Sequence, residues 1–231
     1  WEKIFSISQW GNKTPMLALT KERSENFIKA NLSYFSRGHL DKVIARNLAN
    51  YLSGMKAEKV IFFCNLTVKG LWGFANILRL YQMLETTNKE VRLNTCLIGV
   101  SNSDFQNRIR KSVGDHLKPI IDKVDSQIFC YPNLNQALME HSRADWNIFN
   151  YSQEARSANS FFAKNNKGKS VQPRMISMEN DQVSLINGFT HIAFDWNQIG
   201  YCLAHTLIGD IPIKKSRHSH IMPKVQILER N

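Results

Sequence analysis

Apolar and polar positions change period repeatedly along this chain. Leu40–Leu52 places Val43, Ile44, Leu48, Ala49 and Leu52 on one helical face. Asp41 near its start suits the helix dipole, and Gly54 beyond its end takes the C-cap role. Val60–Cys64 follows as an unbroken apolar run of strand length. Leu71–Leu84 returns to the helical period through Phe74, Ile77, Leu78, Tyr81 and Leu84, and Leu93–Val100 reads as the next strand. Beyond it, helices are expected over Phe105–Leu117 (ending before Pro119), Leu134–His141, Glu154–Lys164 and Trp196–Ile208, the last closed by Gly209. Strands are expected over Ser126–Tyr131, Trp146–Asn150, Arg174–Met178 and Lys224–Leu228. Met16–Thr20 is a short apolar segment behind Pro15, Asn165–Ser170 a polar loop, and the stretch from Gly188 is aromatic-rich.

Continuous apolar strands separated by helices predict an α/β fold, with parallel sheets covered on both faces. No repeat of fixed period and no low-complexity linker divides the chain, so subdomains would be joined by ordinary short crossings.

Composition narrows the picture. The chain has 231 residues and is 43% hydrophobic, enough for a sizeable core. Mean hydropathy is −0.33, and no apolar run approaches the ~18–20 residues of a membrane span. Trp1–Pro15 carries polar residues throughout, unlike a secretory leader, and the first residue is not Met, which leads us to expect a piece of a longer protein. Cys64, Cys96, Cys130 and Cys202 lie far apart in apolar surroundings without a CxxC pair, the pattern of reduced thiols in a cytoplasmic protein. The net charge of +11 fits either a polyanionic partner or a solvated basic surface. Its nearest approach to a cluster is Lys214, Lys215, Arg217, His218 and His220.

Catalytic and metal motifs are missing. There is no GxxxxGK[ST], GxGxxG, HExxH or GxSxG. His218 and His220 lack a nearby third ligand and read as a solvated turn. Asp104, Asp115, Asp122 and Asp125 lie in a basic region and read as charge balance. Cys64 follows a buried strand, where an apolar setting raises a thiol pKa. A binding protein is therefore expected rather than an enzyme, with no cofactor and no metal. Aromatic residues say more. Trp72, Trp146, Tyr151, Phe194 and Trp196 fall at strand ends or helix starts, and ligands of parallel α/β sheets gather beyond the carboxyl ends of strands. Trp72 and Trp146 read first as core. Tyr151 and Trp196, flanked by Ser152, Gln153, Asp195 and Asn197, suit a ligand wall equally well.

Several segments, in order, resemble the effector-binding domain of LacI/GalR-type transcription regulators, which shares its fold with periplasmic sugar-binding proteins. "NLANYLSGMKAEKVIFFCN" resembles that family's helix, Gly turn and apolar strand, and "GLWGFANILRLYQ" its Gly-Phe helix. "ADWNIFNYSQEARSANSFFAKNN" resembles the strand and helix bearing an Asn-Asp pair, and "VQPRMISMENDQ" the Val-x-Pro turn and strand before an Asp-Asp pair. "THIAFDWNQIGYCLAHTLIGDIP" and "IMPKVQILERN" resemble the last long helix and the closing tail. The match runs from about Thr14 to the end.

The resemblance implies a two-lobed, periplasmic-binding-protein-like fold, with residues 1–100 forming a partial N-terminal lobe and 101–231 the C-terminal lobe, return crossover and tail. It implies an effector held between the lobes (a carbohydrate, a sugar phosphate or a related metabolite), a homodimer, and DNA contacted through an N-terminal helix-turn-helix outside this chain. About 75 further sensor residues would precede the segment "KTPMLALT", on the size of such domains. The effector-binding positions carried over are Asn65, Val68, Tyr151, Ser152, Glu179, Asn180 and Trp196. Several depart from the family pattern: Val68 stands for an Arg, Tyr151-Ser152 for Asn-Asp, and Glu179-Asn180 for Asp-Asp, while Gly200 keeps the helix Gly. A larger or more apolar effector, or degenerate binding, is open beside a sugar. The alternative reading is a solute-binding protein of a sugar transport system.

Overall fold

Most of the apolar runs become strands of a seven-stranded sheet. The computed structural model describes residues 17–20, 33–67, 70–87, 91–141, 144–165, 174–179, 189–213 and 225–229. In chain order its elements are β1 (Leu17–Thr20), β2 (Ser33–Ser36), α1 (Arg37–Gly54), β3 (Lys59–Asn65), α2 (Gly70–Thr87) and β4 (Arg92–Ile98). Short helical turns between Asn102 and Leu117 lead to α3 (Lys118–Val124), β5 (Ile128–Tyr131), α4 (Leu134–His141), β6 (Trp146–Phe149) and α5 (Ser152–Asn165). Then come β7 (Arg174–Ser177), β8 (Thr190–Phe194), α6 (Trp196–Ile208) and β9 (Val225–Leu228).

The chain divides into two units, one of residues 1–40 with 194–224 and one of residues 41–193 with 225–231. The lobes expected at 1–100 and 101–231 follow sequence order. The units follow contacts, and the sheet of the second unit takes strands from both sides of residue 100.

In the first unit, β1 and β2 pair in parallel from Leu17↔Ser33 to Thr20↔Ser36. Helix α6 begins with Asp195 accepting from the Gln198 N–H at 2.8 Å, and it ends at Gly209, left-handed at φ +75°, whose N–H returns to the His205 carbonyl. That is the closure expected from the sequence.

The second unit holds a seven-stranded sheet in the order β5-β4-β3-β6-β7-β8-β9. The pairings from β5 through to β8 are parallel. Strand alternation divides the core. Ile61, Phe63, Cys96, Ile98, Tyr131 and Phe149 pack with Ala137 and Leu138 of α4 and with Ala155, Ala158 and Phe162 of α5. Phe63 and Phe149, paired in register, stack at 5.0 Å. The alternate residues reach the opposite face, where Tyr51 of α1 meets Trp146 edge-on at 5.5 Å. Ile44, Ala45, Leu48, Ala49 and Leu52 form the buried stripe of α1, the amphipathic pattern read from the sequence. At the amino ends of β3 and β6, one Asp145 oxygen accepts from the Glu58 and Lys59 amides at 3.1 and 2.8 Å.

Two local expectations are corrected. Gly54 stays within α1, and the left-handed residue after it is Lys56 at φ 51°. The helix expected over Phe105–Leu117 is interrupted at Val113 and Gly114, and a new helix starts at Lys118 with Pro119 in its first turn. Proline lacks only an N–H that has no intrahelical partner there, so it opens this helix rather than ending the previous one. The aromatic stretch after Gly188 contains a fully buried strand, β8. The polar loop at 165–170 lies, beyond Asn165, outside the described residues, as do the basic cluster and the histidine pair at 214–220.

Candidate functional site

Strand order reverses at one place. From β3 the chain steps outward to β4 and β5, then returns to place β6 on the other side of β3. Connections diverge above the carboxyl ends of β3 and β6, and such a switch point is where open parallel sheets bind ligands.

The end of β3 is shaped by Asn65. Its side-chain oxygen accepts from the Thr67 N–H at 2.9 Å and from the Thr67 hydroxyl, a local turn that stops the strand. The Leu66 N–H bonds the Ile98 carbonyl at 3.1 Å and the Gly99 N–H the Tyr131 carbonyl at 2.8 Å, which ties this turn to the ends of β4 and β5. Gly99 is required there. Its φ is +79°, and a Cβ would stand 2.2 Å from Thr67 Cγ2.

At the end of β6, the Asn150 N–H bonds the Phe63 carbonyl at 3.3 Å. Asn150 is 2% exposed, and its Oδ1 has no hydrogen-bond partner. A Cβ on Gly73 of α2 would fall 1.9 Å from Asn150 Nδ2, so the amide occupies space that only glycine leaves. The Tyr151 carbonyl accepts from the Glu154 and Ala155 amides at 3.1 and 3.2 Å and so begins α5.

Ser152, fully buried, donates its N–H and its hydroxyl to Glu179 Oε2 at 3.0 and 3.1 Å. A carboxylate thus caps the positive end of α5. Glu179 is held in turn by its N–H on Ser177 Oγ at 3.1 Å, and Met178 N–H bonds the Phe149 carbonyl at 2.9 Å.

Glu154 is the residue that sequence reading missed. Burial pushes its carboxyl up to about 7, opposed by hydrogen bonds from Asn65 and the Tyr151 backbone and reinforced by the charge of Glu179. Its Oε2 is buried without a hydrogen-bond partner. In sequence it reads as an ordinary acidic residue of a helix's first turn. The signal that could have found it is its place two residues after Tyr151-Ser152.

Four of the expected positions, Asn65, Tyr151, Ser152 and Glu179, therefore meet around Glu154. Val68 and Asn180 lie outside the described residues, and Trp196 opens α6 in the other unit with its ring outside them too. Trp146 is 4% exposed and carries Arg174 over its ring at 5.2 Å, a core position. Burial pushes the Cys64 thiol up, which makes it a poor nucleophile. None of the four cysteines is in a disulfide. Asp125 pairs with Arg110 at 3.5 Å and Asp115 with Lys118, as surface charge balance. Among the described residues no group of three His, Cys, Asp or Glu is arranged for a metal, and no helix is long and apolar enough to cross a membrane.

No protein-family model and no curated protein matches the chain. Solved structures do. A sugar-binding LacI-family transcriptional regulator from Escherichia coli, complexed with phosphate, matches with TM-score 0.59 and 10% identity over 100% of this chain and 73% of that one. A LacI transcriptional regulator from Bacillus cereus subsp. cytotoxis matches with TM-score 0.55 and 15% identity over 99% and 71%. A periplasmic binding protein/LacI transcriptional regulator from Alkaliphilus metalliredigens, complexed with D-xylulofuranose, matches with TM-score 0.50 and 10% identity over 99% and 81%. The chain shares the fold of these regulators and binding proteins, an α/β fold of parallel sheets flanked by helices.

Proposed function

We propose that this chain is the effector-sensing part of a LacI/GalR-like transcription regulator, binding a small polar metabolite at the carboxyl ends of β3 and β6. The observation that carries the reading is the gathering of Asn65, Asn150, Tyr151, Ser152, Glu154 and Glu179 at the one reversal of strand order. Amides, hydroxyls and carboxylates gathered in one place suit a hydroxyl-rich molecule. We read the two units as the lobes of the sensor. Effector binding would favour one arrangement of the domain over another and pass that preference, through a homodimer in the cytoplasm, to a DNA-binding module outside this chain.

A solute-binding role on the same fold is the second reading. It is favoured by the solved neighbour that is described both as a periplasmic binding protein and as a regulator.

A thermal-shift screen of sugars, sugar phosphates and nucleosides tests the site. A ligand present at 100 times its dissociation constant adds about 2.7 kcal/mol of stability. Tyr151→Ala should weaken any ligand found, and unchanged affinity would place the ligand elsewhere. Operator binding by the longer protein, altered by that ligand, separates the regulator from the transport protein.

A further inference from the structure

Unsatisfied acceptors collect at the switch point. Glu154 Oε2 and Asn150 Oδ1 are buried and have no hydrogen-bond partner. The Asn150 amide reaches the Cys64 thiol, and that thiol also feels the Glu154 carboxylate. Backbone bonds place both residues at the ends of these strands, Asn150 on the Phe63 carbonyl and Glu154 on the Tyr151 carbonyl. A buried oxygen with no partner carries a desolvation cost that a donor relieves, as does a proton in the case of the Glu154 carboxyl.

Charge points the same way. None of the described ion pairs includes Glu154, and Glu179 sets a second carboxylate close enough to act on it. A helix N-terminus ordinarily welcomes an anion. Here that place is filled from within, because the Ser152 N–H is already donated to Glu179. An incoming phosphate would meet two carboxylates and a capped helix. An incoming ammonium would meet acceptors in need of a donor.

We propose that the ligand of this site carries a protonated amine, which pairs with Glu154 and has Asn150 as its neighbouring acceptor, and that Glu154 is the residue selecting it. This rests on the reading that the ligand sits at these strand ends. Among the described residues, the titratable groups that act on Glu154 are Glu179 and Cys64, with Asn65 and the Tyr151 backbone beside it. The thiol stays neutral, so the selectivity comes from the two carboxylates. Glu154 must be ionised to pair, so amine affinity falls about tenfold for each pH unit below its own value near 7.

Calorimetric titration of the chain with matched sets tests this: sugars, amino sugars and sugar phosphates, and nucleosides with their amino counterparts. The amine member of a bound set should be held at least about tenfold more tightly than its neutral partner. Glu154→Gln, close in shape, should erase that gap by weakening the amine member at least about tenfold more than its neutral partner. A phosphate member bound as tightly as the amine, or a gap that survives Glu154→Gln, overturns the proposal. If no set binds, or if Tyr151→Ala leaves every bound member unaffected, the site reading itself fails and this inference falls with it.

Discussion

Ser152 gives both its backbone N–H and its hydroxyl to one oxygen of Glu179, at 3.0 and 3.1 Å. Two positions expected to face a ligand thus bond one another, joining the start of α5 to the chain leaving β7. Glu179→Ala removes the acceptor of both bonds and should cost about 1–3 kcal/mol in urea unfolding. Ser152→Ala keeps the backbone bond and should cost about 1 kcal/mol. Equal losses in the two variants would mean that the backbone bond contributes nothing.

Glu154 makes stability depend on pH. Its value in the fold, about 7, lies above its ordinary 4.5, so the native chain holds an extra proton between those limits. Stability therefore falls as pH rises through that window and is flat again above it. Glu154→Gln should abolish this slope. It should also raise stability at pH 8 by up to about 3 kcal/mol, the equivalent of that separation, with little effect near pH 4.5. Parallel pH profiles for the variant and the parent would refute the burial of this carboxyl.

Gly73 and Asn150 should be strongly coupled. Gly73→Ala alone drives a methyl into the Asn150 amide and should cost about 1–3 kcal/mol. With Asn150→Ala already in place the obstacle is gone, and the same change should approach the gain of about 1 kcal/mol that alanine brings to a helix. A double-mutant cycle by denaturant unfolding reads this, and additive effects would contradict the contact.

Gly99→Ala meets two obstacles, a positive φ and the Thr67 methyl. Trimming Thr67 to serine removes only the second. Thr67→Ser should therefore recover part of the stability lost in Gly99→Ala, and full recovery would mean that the backbone conformation costs nothing.

The sheet was legible because its strands are buried on both faces and so appear as unbroken apolar runs, as in Val60–Cys64. The stripe of α1 was legible for the same local reason. Pro119 was misread because proline both follows helices and opens them. At the site, Asn65, Tyr151, Ser152 and Glu179 came from resemblance to a family pattern, while Glu154 escaped notice. Its character is tertiary: burial raises it, and Asn65 and Glu179, which tune it, lie far away in sequence.

The Asp145 clamp has a kinetic consequence. It bonds residues 87 and 86 positions earlier, so β6 can dock on β3 only after β4, β5 and their helices have been bridged by a long loop. Such non-local pairing forms slowly. The switch point at the opposite ends of these two strands comes into being with that docking. Any molecule that recognises it meets only the finished sheet, and should prolong the lifetime of the native chain without speeding its formation.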